Sequence, residues 1–295
     1  MKRVLQILSA LLIIVSCSDE TISWDDKSRA LDYSNSLIGN HVDLVDYLDR
    51  VFRSSDYRDM VLAEKDPQII LDRYFSDEFW RMDYEAEADE LTVHLGTDET
   101  SLTGYLDINH NGKSLLETGA EWTINGVYNR VWYSDNQPEY KEFSFKITNT
   151  GENYELVGDA VFNNPNQYFY IECGFDYTFS ISEVIVQDET SVNGLPDARP
   201  VWKYKFNGTS TLKEEGRIDS DKKQRHQAVM TVNDLEGYNG NEYYMGIPIY
   251  SSGYFNKGRI NAVYGTGKDS YDLTLTINGS SWKASLNGNN YTLNR

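Results

Sequence analysis

One short polar segment matches the opening of a metal-binding pattern. Asp107, Asn109 and Asn111 are spaced like the first three oxygen ligands of a calcium loop, and Gly112 follows them as the pattern requires. The pattern also needs a bidentate acid six residues after the glycine, where this chain has Thr118. Two of the early ligands are uncharged, so such a site would be weak. A polar hairpin turn that ends in Asn-Gly explains the same residues, and we expect no metal here.

The other chemistry-bearing residues form no catalytic or cofactor motif. The 4 histidines are scattered, and none has the paired spacing of metal ligands. The sequence contains no nucleophile elbow and no phosphate loop. With 46 acidic residues, the sequence singles out no carboxylate pair that would hydrolyse a glycosidic bond. We therefore expect a non-catalytic protein without a cofactor. A hydrolase with an unidentified carboxylate pair stays as an alternative.

The best candidate for a binding surface is the aromatic-rich stretch from Tyr238 to Phe255, together with one upstream pair. The tyrosines of this stretch do not alternate cleanly with polar residues, as the residues of a half-buried strand would. Exposed rings of this kind stack on the apolar faces of sugars or peptides. The predicted ligand-binding residues are Trp132, Tyr133, Tyr238, Tyr243, Tyr244, Tyr250 and Tyr254. Packing in a sheet core explains the same rings, so both interpretations stay open.

The N-terminal segment has the layout of a secretory signal. Lys2-Arg3 precedes an apolar run that is too short to span a bilayer, and Cys17 follows that run. Ile14-Val15-Ser16-Cys17 resembles the lipobox of bacterial lipoproteins. The resemblance implies that residues 1–16 are removed and that Cys17 carries the lipid. The alternative is an ordinary secretory signal that is cut near Ser16.

The segment after Cys17 contains a short acidic motif that resembles a sorting signal, followed by a predicted flexible tether. Ser18-Asp19-Glu20 is similar to the acidic tag that sends lipoproteins to the outer face of the outer membrane in some Gram-negative lineages. An acidic start to a linker explains it equally. The resemblance implies an outer-membrane location at the cell surface, with attachment to the membrane through the lipid anchor. Residues 17–36 are polar and acidic, so we predict a flexible tether with a reach of roughly 20–25 Å.

The charge of the chain excludes some partners. The formal net charge is −19, and removal of Lys2 and Arg3 with the signal makes it −21. Nucleic acid and anionic lipid surfaces are poor partners for such a chain, because both need a basic footprint. The segment from Asp219 to His226 is a charge-dense hairpin tip, for which a local basic contact and a solvated loop are the two interpretations.

Helical spacing is confined to residues 37–89. Apolar residues between Leu37 and Phe52 recur on one face, which predicts a helix with one buried stripe. Tyr57 to Glu64 continues the pattern. Asp66-Pro67 then predicts the start of a second helix. We expect this helical segment to pack on the sheet.

From about residue 90 the apolar period changes to two, which predicts an antiparallel β domain over residues 90–295. Asn-Gly pairs interrupt the runs at residues 111–112, 125–126, 207–208, 278–279 and 287–288. Such pairs favour two-residue hairpin turns. The fold class is therefore mainly β, an antiparallel meander of roughly ten to thirteen strands that forms a curled barrel or a sheet stack. A turn-rich break near residues 188–200 leaves open a division into two β halves.

These observations favour a surface-exposed lipoprotein of the outer membrane that binds a ligand without catalysis, with glycans as the first ligand class to test. The analogy with surface lipoproteins that accompany nutrient uptake covers the anchor and the compartment only. A structural or adhesive component of the cell envelope is the alternative, with an envelope protein as its partner. An aromatic platform in a concave sheet would favour ligand binding. A flat sheet with an open edge strand would favour adhesion.

Overall fold

The computed structural model describes residues 25–66, 80–95, 102–130, 139–164, 169–188, 197–219, 222–244, 247–266, 269–279 and 281–293. For residues 80–81, 95, 102–103, 128–130, 139, 164, 169, 184–188, 197–201, 217–219, 222–224, 239–244, 247–254 and 266 it describes the backbone and its pairing alone.

One long helix, α1, covers Asp26–Leu62. Asp25 caps its N-terminus, because the carboxylate accepts a hydrogen bond from the Ser28 amide over 2.7 Å. The helix therefore begins inside the segment predicted as a tether, and residues 26–36 form its first turns. In the part of the chain that the structure describes, no helix is long and apolar enough to cross a membrane.

Thirteen strands follow the helix. Their bounds are β1 Trp80–Glu85, β2 Glu90–Leu95, β3 Leu102–His110, β4 Glu121–Arg130, β5 Glu139–Asn149, β6 Tyr154–Asn164, β7 Phe169–Asp188, β8 Asp197–Asp219, β9 Lys222–Tyr244, β10 Ile247–Thr266, β11 Asp269–Asn278, β12 Ser281–Leu286 and β13 Asn289–Leu293.

The strands form one antiparallel sheet in sequence order, which confirms the predicted meander with an N-terminal helix. Among the described residues, the sheet is not closed, because β1 and β13 do not pair with each other. The segment 188–200 does not divide the sheet into halves, since β7 and β8 pair continuously up to Asp188 and Asp197. The first strand begins at Trp80, inside the segment predicted as helical. The second predicted helix, after Pro67, lies outside the described residues.

Helix α1 fills the inner face of the sheet and contacts strands near both edges, β1 and β2 as well as β8 to β13. The sheet therefore curls around the helix. Leu44, Leu48 and Phe52 are completely buried, as the helical stripe predicts. Alternate residues of the strands supply the opposing surface. Ring pairs join the helix to the sheet, among them Tyr33 with Tyr264 at 4.0 Å, Tyr47 with Phe143 at 4.1 Å, and Phe52 with Tyr154 at 5.2 Å between centroids.

The Asn-Gly pairs are only partly turns. Asn287-Gly288 forms a two-residue hairpin loop with positive φ at both residues, as predicted. Asn125-Gly126 instead lies inside β4, where the Phe143 ring covers the glycine so closely that a Cβ would approach the ring to 2.2 Å. Asn207-Gly208 lies inside β8, at a point where the pairing with β9 shifts. Gly126 allows close packing of a ring, and Gly208 lies at a bulge. The sequence alone does not distinguish either role from that of a turn glycine.

Candidate functional site

The long central strands separate into two ribbons at one end of the sheet. β8 and β9 pair from Asp219 and Lys222 up to Lys203 and Tyr238, and their pairing ends there. Among the described residues beyond that point, β8 pairs with β7 alone and β9 pairs with β10 alone. We call the point of separation the fork, defined by Lys203 and Tyr238, and we call residues 238–255 of β9 and β10 the distal ribbon.

The distal ribbon contains most of the predicted ligand-binding residues. Tyr238, Tyr243 and Tyr244 lie on β9, and Tyr250 and Tyr254 lie on β10. Tyr238 and Tyr254 are directly paired, and so are Tyr243 with Pro248 and Tyr250 with Glu242. Adjacent strands lie about 5 Å apart, so the fold brings these five positions onto one narrow two-stranded element.

The remaining predicted ligand-binding residues lie outside the described part of the chain. Trp132 and Tyr133 lie outside the described residues, and so does Cys17. Tyr238 is half-buried. Phe255, at the end of the aromatic stretch, packs in the core beside His41, with ring centroids 6.3 Å apart. Phe255 is therefore a core residue, in agreement with the interpretation that rings of this stretch pack in the sheet core.

Charged pairs fix the outer face of the sheet at the fork. The Glu236 carboxylate lies 3.6 Å from the Lys203 ammonium and 3.6 Å from the Lys257 ammonium, so it bridges β8 and β10. Lys205 lies 2.9 Å from Asp234. This bond lowers the pKa of the Asp234 carboxyl and raises the pKa of the Lys205 ammonium. The base of the distal ribbon is therefore held in place, and Tyr238 lies opposite a lysine that already has a carboxylate partner.

The inner face of the sheet at the fork is covered by α1. Trp202 is half-buried and Tyr204 is completely buried, and both pack against Phe52 with ring centroids 6.2 and 5.9 Å apart. The concave side of the described sheet is thus a packed core at this level, not an aromatic platform. Any ligand surface at this end has to use the outer face or the distal ribbon.

A group of charged residues on α1 lies beneath the same part of the sheet. Asp49 and Arg53 form an ion pair at 3.6 Å, and both are buried. Burial raises the pKa of Asp56 to about 6. A raised carboxyl pKa is a feature of general acids. Asp49 and Tyr204 are both buried in the interior between helix and sheet, and the charge of Asp49 adds to burial in raising the pKa of the Tyr204 hydroxyl. We therefore interpret this group as a buried charge network that lowers the stability of the folded protein.

A second polar group joins the first half of α1 to the sheet. Ser36 Oγ donates a hydrogen bond to Glu214 Oε2 over 2.7 Å. His226 Nδ1 lies 2.8 Å from the Tyr264 hydroxyl and 3.6 Å from Glu214 Oε2. Burial raises the pKa of Glu214, but contacts with His226 and Ser36 outweigh burial and hold the pKa below its usual value. The Ser36 hydroxyl donates its proton to Glu214 and not to His226. These three residues therefore lack the arrangement of a nucleophilic triad, in which the serine donates to the histidine.

A third polar group fixes the C-terminal part of α1. The Arg58 guanidinium binds both carboxylate oxygens of Asp89 at 2.9 Å and donates to the Gly112 carbonyl at 3.0 Å. The Tyr84 hydroxyl donates to the same Asp89 over 2.6 Å. Hydrogen bonds from Arg58 lower the pKa of the Asp89 carboxyl. These contacts tie the helix to the β1–β2 and β3–β4 turns, which is a structural role.

The weak calcium candidate is spread over a strand and a turn. Asp107 and Asn109 lie on β3 at exposed positions. Asn111 uses its amide within the turn, donating to the Gly119 carbonyl over 2.9 Å and accepting from the Glu121 amide over 3.1 Å. Within the described ranges, no three metal-ligating side chains come together.

Sequence reasoning missed the fork and the polar groups that hold the helix. The alternation of Trp202, Lys203 and Tyr204 was visible as a strand, but nothing local shows where one strand pairing ends. Ser36 and Glu214 are 178 residues apart in the chain. Comparison of the chain with protein-family models, with curated proteins and with solved structures finds no match.

Proposed function

We propose that this chain is a surface-exposed lipoprotein of the outer membrane, anchored through Cys17, whose β domain binds a ligand without catalysis. The distal ribbon carries the binding surface, and glycans are the ligand class that its tyrosines fit best. The single observation that supports this most is the pairing of Tyr238 with Tyr254, which gathers the tyrosines of the aromatic stretch on one ribbon beyond the fork.

The position of the distal ribbon relative to the start of α1 supports the proposal. The Tyr33 ring near the helix start lies 5.8 Å from the His226 ring on β9. Tyr238 is twelve residues further along the same strand, a span of about 40 Å for an extended chain. An anchor that precedes α1 therefore leaves the distal ribbon at the opposite end of the sheet, where a ligand outside the cell meets it first.

A glycan screen tests the proposed function. The chain from residue 21 onward keeps every described element and lacks the lipid, so it is suited to a glycan array followed by calorimetry. We expect binding that a chelator does not change, because stacking on tyrosine rings needs no metal. Chelator-sensitive binding would point back to Asp107 and Asn109. Absence of binding to every glycan would contradict glycan recognition.

A structural or adhesive role is the second candidate, and one observation favours it. Among the described strands, β1 and β13 are the edges of the sheet, and an edge strand presents backbone groups that can pair with another chain. This role predicts concentration-dependent self-association or capture of an envelope protein through an edge. Light scattering of the soluble chain at increasing concentration tests this role, and a particle that stays monomeric at every concentration would contradict self-association through an edge.

A further inference from the structure

The outer face of the sheet beside the fork is locally basic in an otherwise acidic protein. The whole chain carries a net charge of −19. On β8 to β12 next to the fork, the outward-facing side chains instead include more cations than carboxylates. We call this surface the basic face, and its charged residues are Lys203, Lys205, Asp234, Glu236, Lys257, Arg259 and Lys283.

Strand pairing brings these side chains together. Lys205 is paired with Glu236, and Glu236 is paired with Lys257, so the three lie in one row across β8, β9 and β10. In the adjacent row, Arg259 on β10 and Lys283 on β12 are separated by the one strand β11. Neighbouring strands are about 5 Å apart, so each row is about 10 Å wide.

The surplus of positive charge remains when the neighbouring residues are counted. Within two positions of the basic face along the paired strands, Glu183 on β7 is the one further acid among the described side chains. Besides burial, the charge of Glu183 contributes to the raised pKa of Asp56 on α1, so Glu183 belongs to the inner face. Acids three or more positions away are about 10 Å distant or more. Physiological salt screens exposed charges beyond about 8 Å.

Two lysines of the basic face share one carboxylate. The Glu236 carboxylate lies 3.6 Å from the Lys203 ammonium and 3.6 Å from the Lys257 ammonium. One carboxylate neutralises one of the two cations, so a positive charge is left over. The Lys257 side chain is 62% exposed, so this charge is presented to the solvent.

Arg259 is held in place by a neutral partner. Its Nε donates a hydrogen bond to Asn261 Oδ1 over 3.0 Å, and the same oxygen accepts a hydrogen bond from Thr274 Oγ1 over 3.1 Å. Among the described residues, no carboxylate forms an ion pair with Arg259 or Lys283. The two terminal nitrogens of the Arg259 guanidinium are therefore available, and they match the two oxygens of a carboxylate in a bidentate pair.

The basic face adjoins the tyrosines of the distal ribbon. Lys203 is paired with Tyr238, and Tyr238 is paired with Tyr254. From Tyr254 to Lys257 and Arg259, β10 advances by about 10 and 16 Å at most. A sugar chain that stacks on the ribbon therefore reaches these two cations with its next sugar units.

We propose that the ligand of the distal ribbon is an acidic glycan, a chain of sugars with carboxylate groups, and that its carboxylates bind Lys257 and Arg259. This inference rests on the proposed glycan binding and narrows it to one ligand class. The acidity of the whole chain does not oppose it, because the acids outside the basic face are screened at physiological salt. Each exposed pair of a cation and a carboxylate strengthens binding by about 1.4- to 5-fold.

The test compares each acidic glycan with an uncharged form of the same chain. The full-length protein, solubilised in a nonionic detergent, is screened on an array of galacturonic acid, glucuronic acid and hyaluronan oligosaccharides, each beside its methyl ester, together with neutral glycans. Methyl esterification removes the charge and keeps the sugar rings. A chelating buffer prevents calcium from bridging carboxylates. We expect the acid to bind more tightly than its ester, and the difference to shrink in about 1 M salt.

Calorimetry with the best acidic glycan tests whether the basic face carries the binding. Lys257→Gln with Arg259→Gln should weaken binding of the acid about 2- to 30-fold and leave the affinity for the ester unchanged. A matched control, Lys146→Gln with Lys213→Gln, removes two lysines that pair with carboxylates elsewhere on the sheet. The control should bind both forms like the wild type.

Three results would contradict the inference in different ways. Esters that bind as tightly as the acids, or a Lys257→Gln and Arg259→Gln double variant that behaves like the control, overturn the acidic ligand and leave glycan binding standing. A single-stranded oligonucleotide that binds more tightly than every acidic glycan assigns the basic face to nucleic acid and also overturns the proposal. Absence of binding to any glycan, acidic or neutral, overturns the proposed function and this inference with it.

Discussion

Lys203 and Tyr238 are the last paired residues of the β8–β9 ladder, and the sheet separates into two ribbons beyond them. The tyrosine-rich half of that fork is the surface on which the proposed function depends. The opposite end of the same strands packs against the first turns of α1, where the Tyr33 ring stacks on Tyr264 at 4.0 Å and lies 5.8 Å from the His226 ring.

The packing of α1 can be tested with one large-to-small substitution. Leu48 is completely buried between helix and sheet. Leu48→Ala should lower the free energy of unfolding by about 2–5 kcal/mol, measured by denaturant unfolding. Leu31→Ala, at an exposed position of the same helix, is the control and should change it little. A loss below about half a kcal/mol in Leu48→Ala would mean that the helix is detached from the sheet.

The buried carboxyl of Asp56 should destabilise the fold at neutral pH. Because burial raises its pKa to about 6, the folded protein holds this proton more tightly than the unfolded chain does. This contribution to stability falls as pH rises from about 4 to 6 and stays low above that range. Asp56→Asn should therefore raise the free energy of unfolding at pH 7 by about 1–3 kcal/mol, and the gain should vanish near pH 4. A variant that is destabilised at pH 7 would show that the charge is needed.

His41 should make the protein sensitive to acid. Its ring is buried, with Nδ1 2.8 Å from the Leu37 carbonyl and Nε2 2.7 Å from the Tyr177 hydroxyl. Burial lowers its pKa to about 4, so the folded state resists protonation. The stability that depends on neutral His41 is complete above about pH 6.5 and is lost as pH falls toward 4, by about 2–3 kcal/mol.

His41→Gln should be less stable than the wild type at pH 7 but should lose less stability on acidification. The measurement is the free energy of unfolding at several pH values between 7 and 4. His94→Gln, at a half-exposed position on β2, is the control and should keep the wild-type acid loss. An unchanged pH profile in His41→Gln would show that another group causes the acid sensitivity.

Lipid attachment can be tested at a single residue. Cys17→Ala removes the thiol that accepts the lipid, so the protein should leave the membrane fraction or keep its signal segment. Fractionation with mass determination of the N-terminus measures both. Cys173→Ala removes the other cysteine of the chain and should leave the membrane association as it is. Membrane retention of a normally processed Cys17→Ala protein would contradict the anchor.

The sequence predicted the sheet well because its signal is local. Strict alternation, as in Leu273, Leu275 and Ile277, requires one buried and one exposed face, and the structure buries all three. The start of α1 was harder to predict. Polar residues such as Lys27 and Ser28 suggested a tether, although Ala30, Tyr33 and Leu37 already continue the buried stripe at helical spacing.

The fork and the polar groups could not be predicted, because they depend on contacts between distant residues. Lys203 and Tyr238 become neighbours only through the register of β8 and β9, which two bulges shift. The ligand-binding residues were therefore predicted only from the abundance of tyrosine in one stretch of the sequence. The pairing of β9 with β10 brings the tyrosines of that stretch together, and the sequence does not specify this pairing.

The most direct test of the account is the affinity of a glycan for single-tyrosine variants of the chain from residue 21. Calorimetry should show that Tyr243→Ala and Tyr250→Ala each bind the best glycan of the array about 3- to 10-fold more weakly, with unchanged unfolding. Tyr105→Ala removes a 46% exposed ring from β3, away from the fork, and should bind like the wild type. Equal affinity in all three variants, or a loss in Tyr105→Ala alone, would contradict the assignment of ligand binding to the distal ribbon.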